Sequence, residues 1–163
     1  MINKVNGDIL KSKCHVIAHG VSPNDDFKVG LALALRENWP AMYKDFRHYT
    51  QTANPKPGTL WTWGGVGGSR IINLLTQEGS EGHRPASGGK ATLSHVAHCL
   101  KALHKEVLDN AFTSVALPRL ATGAGGLEWK DVEPLIHEHL SDLNIPIIIY
   151  DQYTAGLKAD EGI

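Results

Sequence analysis

Six short apolar runs alternate with stretches of helical periodicity, and that alternation restricts the architectures open to this chain. The runs cover residues 2–6, 14–19, 59–63, 70–75, 114–117 and 145–150. They are mostly continuous, the pattern of strands whose two faces are both covered. Between them, Leu93, Val96, Ala97, Leu100, Leu103 and Val107 recur at intervals of three and four, which predicts a helix over 91–108 with one buried side. A second helix is expected over 30–49, with Pro40 as a break. A third is expected over 129–143, opening on acidic residues that suit a helix amino terminus. Strands interleaved with helices imply βαβ crossovers and an α/β fold, a sheet sandwiched between helical layers.

The 163 residues, 42% hydrophobic and 20% charged, supply enough mass for one continuous core. A single domain is expected over 1–155, with 156–163 as a frayed tail because no periodicity follows Tyr150. Residues 78–89 crowd Gly79, Ser80, Gly82, Pro85, Ser87, Gly88 and Gly89 between a strand and a helix, the composition of a surface loop. A formal net charge of -1 gives no reason to expect a nucleic-acid backbone or an anionic membrane as partner, so an anionic ligand needs a local site. Cys14 and Cys99 lack metal-type spacing and read as buried free thiols in a reducing compartment. With no signal-like amino terminus and no bilayer-length apolar run, a cytoplasmic location is expected. His95, His98, His137 and His139 sit at helical spacing without a third ligand, so no metal site is expected.

The segment with the clearest chemistry runs from the apolar Val115-Ala116-Leu117 into Thr122-Gly123-Ala124-Gly125-Gly126, and then into a helix starting near Glu128 or Trp129. Glycines let a backbone approach a diphosphate closely, and amides near a helix start point at the anion with the helix dipole behind them. A ligand-free strand-to-helix turn would also use glycine, but three glycines in four positions favour the cradle. A redox dinucleotide fingerprint needs its glycines after the first strand, and here they come late in the chain. Gly64-Gly65-Val66-Gly67-Gly68 lies between two strands and reads as a hairpin connection. Asp8 follows the first strand, where a carboxylate could accept a hydrogen bond from an adenine amino group or simply make a turn.

Gly7-Asp8-Ile9, the segment Val16-Ile17-Ala18-His19-Gly20-Val21-Ser22, the following Val29-Gly30-Leu31-Ala32 and the late glycine segment together resemble the macro domain family in order and spacing. The branch they resemble includes the terminal ADP-ribose protein glycohydrolase and the DNA ADP-ribosyl glycohydrolase antitoxins. The resemblance implies a three-layer α/β/α fold with a mixed central sheet and ADP-ribose lying across a cleft at one sheet end. Asp8 would then bind the adenine amino group, Ile9 would line the base pocket, and Tyr150 would stack near the base. Gly20, Val21, Ser22, Lys28, Val29, Gly30 and Leu31 would face the distal ribose and diphosphate. Leu120, Thr122, Gly123, Ala124, Gly125, Gly126 and Leu127 would wrap the diphosphate from the other side. Lys28 would either add charge there or point to solvent.

Two departures from the family pattern bear on chemistry. In that branch a lysine follows the threonine that ends the strand corresponding to Asn73-Leu74-Leu75-Thr76, and here the position is Gln77; the aspartate that partners the lysine matches Gly125. Glutamine neither titrates nor forms an adduct with an opened ribose. Hydrolysis would therefore use water held by a polar side chain, with Asp25, Gln77 or His83 as candidates. His83-Arg84 could close over substrate or belong to an idle loop. Two functions follow as expectations: hydrolysis of an ADP-ribose linkage or a small derivative such as ADP-ribose-1''-phosphate, or a non-catalytic ADP-ribose reader. The expected partner is ADP-ribose or an ADP-ribosylated macromolecule, without cofactor, membrane, or direct nucleic-acid binding except as an ADP-ribosylated substrate.

Overall fold

The computed structural model of the chain describes residues 1–68, 70–79 and 89–163. Its strands are β1 (Ile2–Gly7), β2 (Val16–Val21), β3 (Leu60–Gly64), β4 (Arg70–Leu75), β5 (Val115–Leu117) and β6 (Ile147–Tyr153). They form one sheet in the order β1-β6-β5-β2-β4-β3. Every neighbouring pair is parallel except β3 and β4, which run antiparallel, so the sheet is mixed. The glycine run at 64–68 connects that antiparallel pair, as its composition predicts.

The helices are α1 (Gly30–Asn38), α2 (Pro40–Ala53), α3 (Leu93–Asn110) and α4 (Trp129–Leu140). The helix expected over 30–49 is two: Trp39 closes α1 with φ -132, and Pro40 sits in the first turn of α2. Proline is tolerated there because the first amides of a helix lack intrahelical acceptors anyway. Thr92 caps α3 by accepting from the N–H of His95 at 3.0 Å.

Helices cover both sheet faces. Val96, Leu100 and Leu103 of α3 and Val132, Ile136 and Leu140 of α4 pack against Val16, Ala18, Ile72 and Leu74, all fully buried. On the other face, Leu35 of α1 and Met42 and Phe46 of α2 meet Ile17, Val21, Ile71 and Leu75. Alternate residues of β2 and β4 thus feed two cores, which explains the continuous apolar runs. Each such aliphatic side chain contributes about 2 kcal/mol on burial.

The adjacent strands β2 and β5 feed crossovers in opposite directions. After β2 the chain passes through α1 and α2 to β3 and β4; after β5 it passes through α4 to β6. In open α/β sheets the crevice at such a switch point, beyond the carboxyl ends of the strands, is where ligands bind.

The segment 156–163, expected to fray, is instead tied down. The Asp8 N–H donates to the Leu157 carbonyl at 2.7 Å, the Gly156 N–H donates to Asp8 Oδ2 at 2.9 Å, and Glu161 is buried. Its anchors are side chains and turns far away in the chain, which local periodicity cannot reveal. Among the described residues no helix is long and apolar enough to cross a membrane.

Candidate functional site

The loop that leaves β2 is organised by Asp25. Its Oδ1 accepts from the Phe27 N–H at 2.8 Å and its Oδ2 from the Ser22 N–H at 3.4 Å, so one carboxylate stitches the loop over its own backbone. Phe27 takes φ 54 and is fully buried between Tyr43 and Phe46, which anchors the loop against α2. The chain then enters α1, where Val29 at the N-cap position makes no side-chain cap hydrogen bond. Among the described residues the first amides of α1 therefore have no intrahelical acceptor and no cap side chain, and they carry the positive end of the helix dipole.

Facing this helix start is the loop after β5. Ala121 at φ 61 and Gly126 at φ 76 bend it, and it closes on itself through Leu127 N–H to the Ala121 carbonyl (2.9 Å) and Gly126 N–H to the Gly123 carbonyl (3.1 Å). Gly125 is there of necessity: a Cβ would lie 2.6 Å from the Ala121 carbonyl oxygen and 2.9 Å from Ala91 Cβ. At Gly123 a Cβ would meet nothing within 4 Å, so this position fronts open space. Among the described residues, the N–H groups of Gly123, Ala124 and Gly125 donate to no backbone carbonyl.

Between the two loops lies a compartment of about 300 Å³, the more polar of the two that make up the cleft. Gly20, Asp25, Val29, Gly30 and Leu31 line one side of it; Leu120, Thr122, Gly123, Ala124 and Gly125 line the other, and Gln77 reaches it from the end of β4. An apolar compartment of about 370 Å³ adjoins it, walled by Ile9, Ala34, Tyr150 and Tyr153. Gly30, Leu31 and Pro118 line both, so the two form one cleft around the amino terminus of α1.

Burial pushes the Asp25 carboxyl up to about 6, against the two N–H bonds that favour its charged form and with the neighbouring Asp26 adding to the rise. His19, whose Nε2 meets Asn73 Oδ1 at 2.7 Å, also lines the polar compartment. Burial lowers its pKa to about 4, so its ring is neutral at pH 7. Gln77 donates from Nε2 to the Gly89 carbonyl at 2.8 Å. Among the described lining residues of either compartment there is no lysine.

Some expected contacts stand elsewhere. Val21 and Ser22 are fully buried and do not line the polar compartment, because β2 carries its core-facing pattern to its last residue; among the described residues the Ser22 hydroxyl has no hydrogen-bond partner. Lys28 is exposed and off the lining. Gly126 and Leu127 shape the late loop from outside the compartment. Asp8 caps the turn at Ile9–Lys11, accepting from the Leu10 N–H at 3.0 Å, while its other oxygen takes Gly156. The Thr122 hydroxyl turns back to the Arg119 carbonyl at 2.9 Å. His83 lies outside the described residues.

His19, Pro118, Arg119 and Tyr153 also line the cleft, although the sequence assigns them no role there. Pro118 and Arg119 follow β5 directly, and residues just past a strand end at a switch point were a usable signal. Arg119 is held by Asp151, with Nε and Nη2 donating to Oδ1 at 3.0 and 2.8 Å.

A sequence-family profile described as Macro domain matches residues 30–136, well over half the chain. A DNA ADP-ribosyl glycohydrolase from Mycobacterium tuberculosis is 26% identical over 167 residues, covering 100% of this chain and 45% of that protein. The chain thus spans less than half the length of this relative. The human ADP-ribose glycohydrolase OARD1 is 23% identical over 150 residues, 91% of this chain and 90% of that one. Thermosipho africanus DarTG, solved in complex with ADP-ribose, superposes with a TM-score of 0.81 at 19% identity, covering 94% of this chain and 42% of that one. The mixed sheet, the cleft at its switch point and the matched family profile lead to one conclusion: this chain belongs to the macro domain family.

Proposed function

We propose that the chain binds ADP-ribose along the two-compartment cleft and hydrolyses the bond joining its distal ribose to an acceptor. The observation that carries this reading is the continuity of the apolar compartment with the polar one, whose lining includes the buried Asp25. The apolar compartment, with Ile9 and Tyr150, suits a purine; Asp8, beside it, keeps acceptor capacity for an exocyclic amine. The diphosphate suits the uncapped start of α1 and the amides of the 122–125 loop. The distal ribose then lies near Asp25 and Gln77. In the reaction, water oxygen bonds to the anomeric carbon as the bond to the acceptor breaks. Asp25 takes the proton from water and returns it, through solvent, to the acceptor as it leaves. A group with a pKa near 6 is suited to that work at neutral pH.

A second reading, a non-catalytic ADP-ribose reader, is favoured by Gln77, which stands where the related branch has a lysine and whose amide is spent on Gly89. The two separate when the protein is mixed with ADP-ribosylated DNA, ADP-ribosylated protein and ADP-ribose-1''-phosphate. Release of ADP-ribose or phosphate supports the hydrolase. ADP-ribose binding by calorimetry without release from any of them supports the reader, and no binding removes both. The two free thiols, Cys14 and Cys99, suit a reducing cytoplasm.

A further inference from the structure

Among the described residues Glu161 is the one buried glutamate, and of its partners Tyr150 walls the apolar compartment of the cleft. Its Oε2 accepts from the Ser12 hydroxyl at 2.6 Å, from the Tyr150 hydroxyl at 2.9 Å and from Cys14 Sγ at 3.4 Å; its Oε1 accepts from the Lys13 N–H at 2.8 Å. A buried carboxylate is tolerated only when donors surround it in this way. The segment that delivers Glu161 also grips Asp8. The Thr154 N–H donates to the Gly7 carbonyl at 3.0 Å, Leu157 and Gly156 take the Asp8 backbone and carboxylate, and Gly7 has no room for a side chain, since a Cβ would lie 2.8 Å from the Leu157 carbonyl oxygen. One stretch of chain therefore holds both Asp8 and Tyr150.

We propose that residues 154–161 form a strap that sets the shape of the purine-binding end of the cleft, with Glu161 as a positioning residue acting through Tyr150. This rests on the ADP-ribose reading. The Tyr150 ring is one wall of the apolar compartment, and its hydroxyl is buried away from water, so the carboxylate at 2.9 Å fixes where that wall stands. A glutamine in its place offers these four donors one acceptor oxygen instead of two, so the hydroxyl loses its partner and the ring moves with it. The amide-lined polar compartment shares no residue with the Glu161 cluster, so the effect belongs to the adenine half of the ligand alone.

The test titrates wild type, Glu161→Gln, Tyr150→Phe and the double variant with ADP-ribose, AMP and ribose 5-phosphate, followed by NMR. Glu161→Gln is expected to weaken AMP and ADP-ribose by about fivefold, the scale of one hydrogen bond, and to leave ribose 5-phosphate within about twofold. Tyr150→Phe is expected to show the same selective loss, and the double variant no more than Glu161→Gln, since both cut one interaction. Equal loss for AMP and ribose 5-phosphate, or losses that simply add in the double variant, overturn the strap. So does a folded Glu161→Gln that binds AMP as wild type does. If Glu161→Gln does not fold, Tyr150→Phe decides by the same AMP comparison. Wild type that binds none of the three probes overturns the ADP-ribose reading and the strap with it; wild-type binding with unchanged variants overturns the strap alone.

Discussion

In the proposed hydrolysis a single carboxyl, that of Asp25, both holds a loop and takes a proton. Its folded pKa near 6 lies above the ordinary 3.8 because burial penalises the charged form. The folded state thus holds this proton more tightly than the unfolded chain does. The associated stability is fully present below pH 3.8 and is lost as pH rises through about 6, a cost of about 3 kcal/mol at 1.36 kcal/mol per unit. Such a cost is tolerated where a site needs a base poised near neutrality. If Asp25 is that base, the hydrolysis rate climbs with pH through about 6 and then levels. Asp25→Asn should lower single-turnover rates by about 100-fold or more while ADP-ribose affinity stays within about threefold. The same variant should flatten the fall in Tm expected of wild type between about pH 4 and pH 7. Turnover by Asp25→Asn at the wild-type rate would return the role of base to another group.

Within the loop after β5, two glycines two positions apart should respond in opposite ways. Gly123→Glu adds its side chain to open space, so the fold should survive with Tm shifted by no more than about 2 °C. Bulk and negative charge beside the diphosphate should then reduce ADP-ribose affinity about 100-fold or more, read by calorimetry. Gly125→Ala instead drives a methyl into the Ala121 carbonyl and Ala91, at a cost of about 1–3 kcal/mol seen as a lower denaturation midpoint. Normal binding by Gly123→Glu would mean that the diphosphate lies elsewhere. This loop was legible in the sequence because its signal is local: strand, glycines and helix start are contiguous. The six strands and the interruption at Pro40 were legible for the same reason. Glu161 was not, since its partners Ser12, Lys13 and Cys14 are distant in the chain and meet it only through the packed sheet. Ser22 was misplaced because a motif gives the order of residues along a strand end but not which face each one takes, and the core took this one.

At the scale of the whole molecule, the cleft is assembled from the carboxyl ends of the parallel strands. The segments after β1, β2, β4, β5 and β6 each supply wall or support, whereas the opposite sheet end carries a separate apolar depression lined by His104, Phe112 and Leu143. These segments are joined mainly through the sheet and the cross-links at Asp8, Asp25, Asp151 and Glu161. A ligand touching several of them stabilises the folded state by mass action, about 2.7 kcal/mol at a concentration of 100 Kd, which for a chain of this size raises Tm by about 5–10 °C. The gain should be localised. Hydrogen exchange with saturating ADP-ribose should slow the amides of residues 20–32, 119–127 and 150–157, whose open states are bridged by the ligand. Amides of residues 104–113 and 142–146, at the other sheet end, should exchange at rates close to those of the free protein. Protection at that second group without protection at the first would place the ligand at the wrong end of the sheet, and the cleft described here would then be a consequence of topology without a ligand of its own.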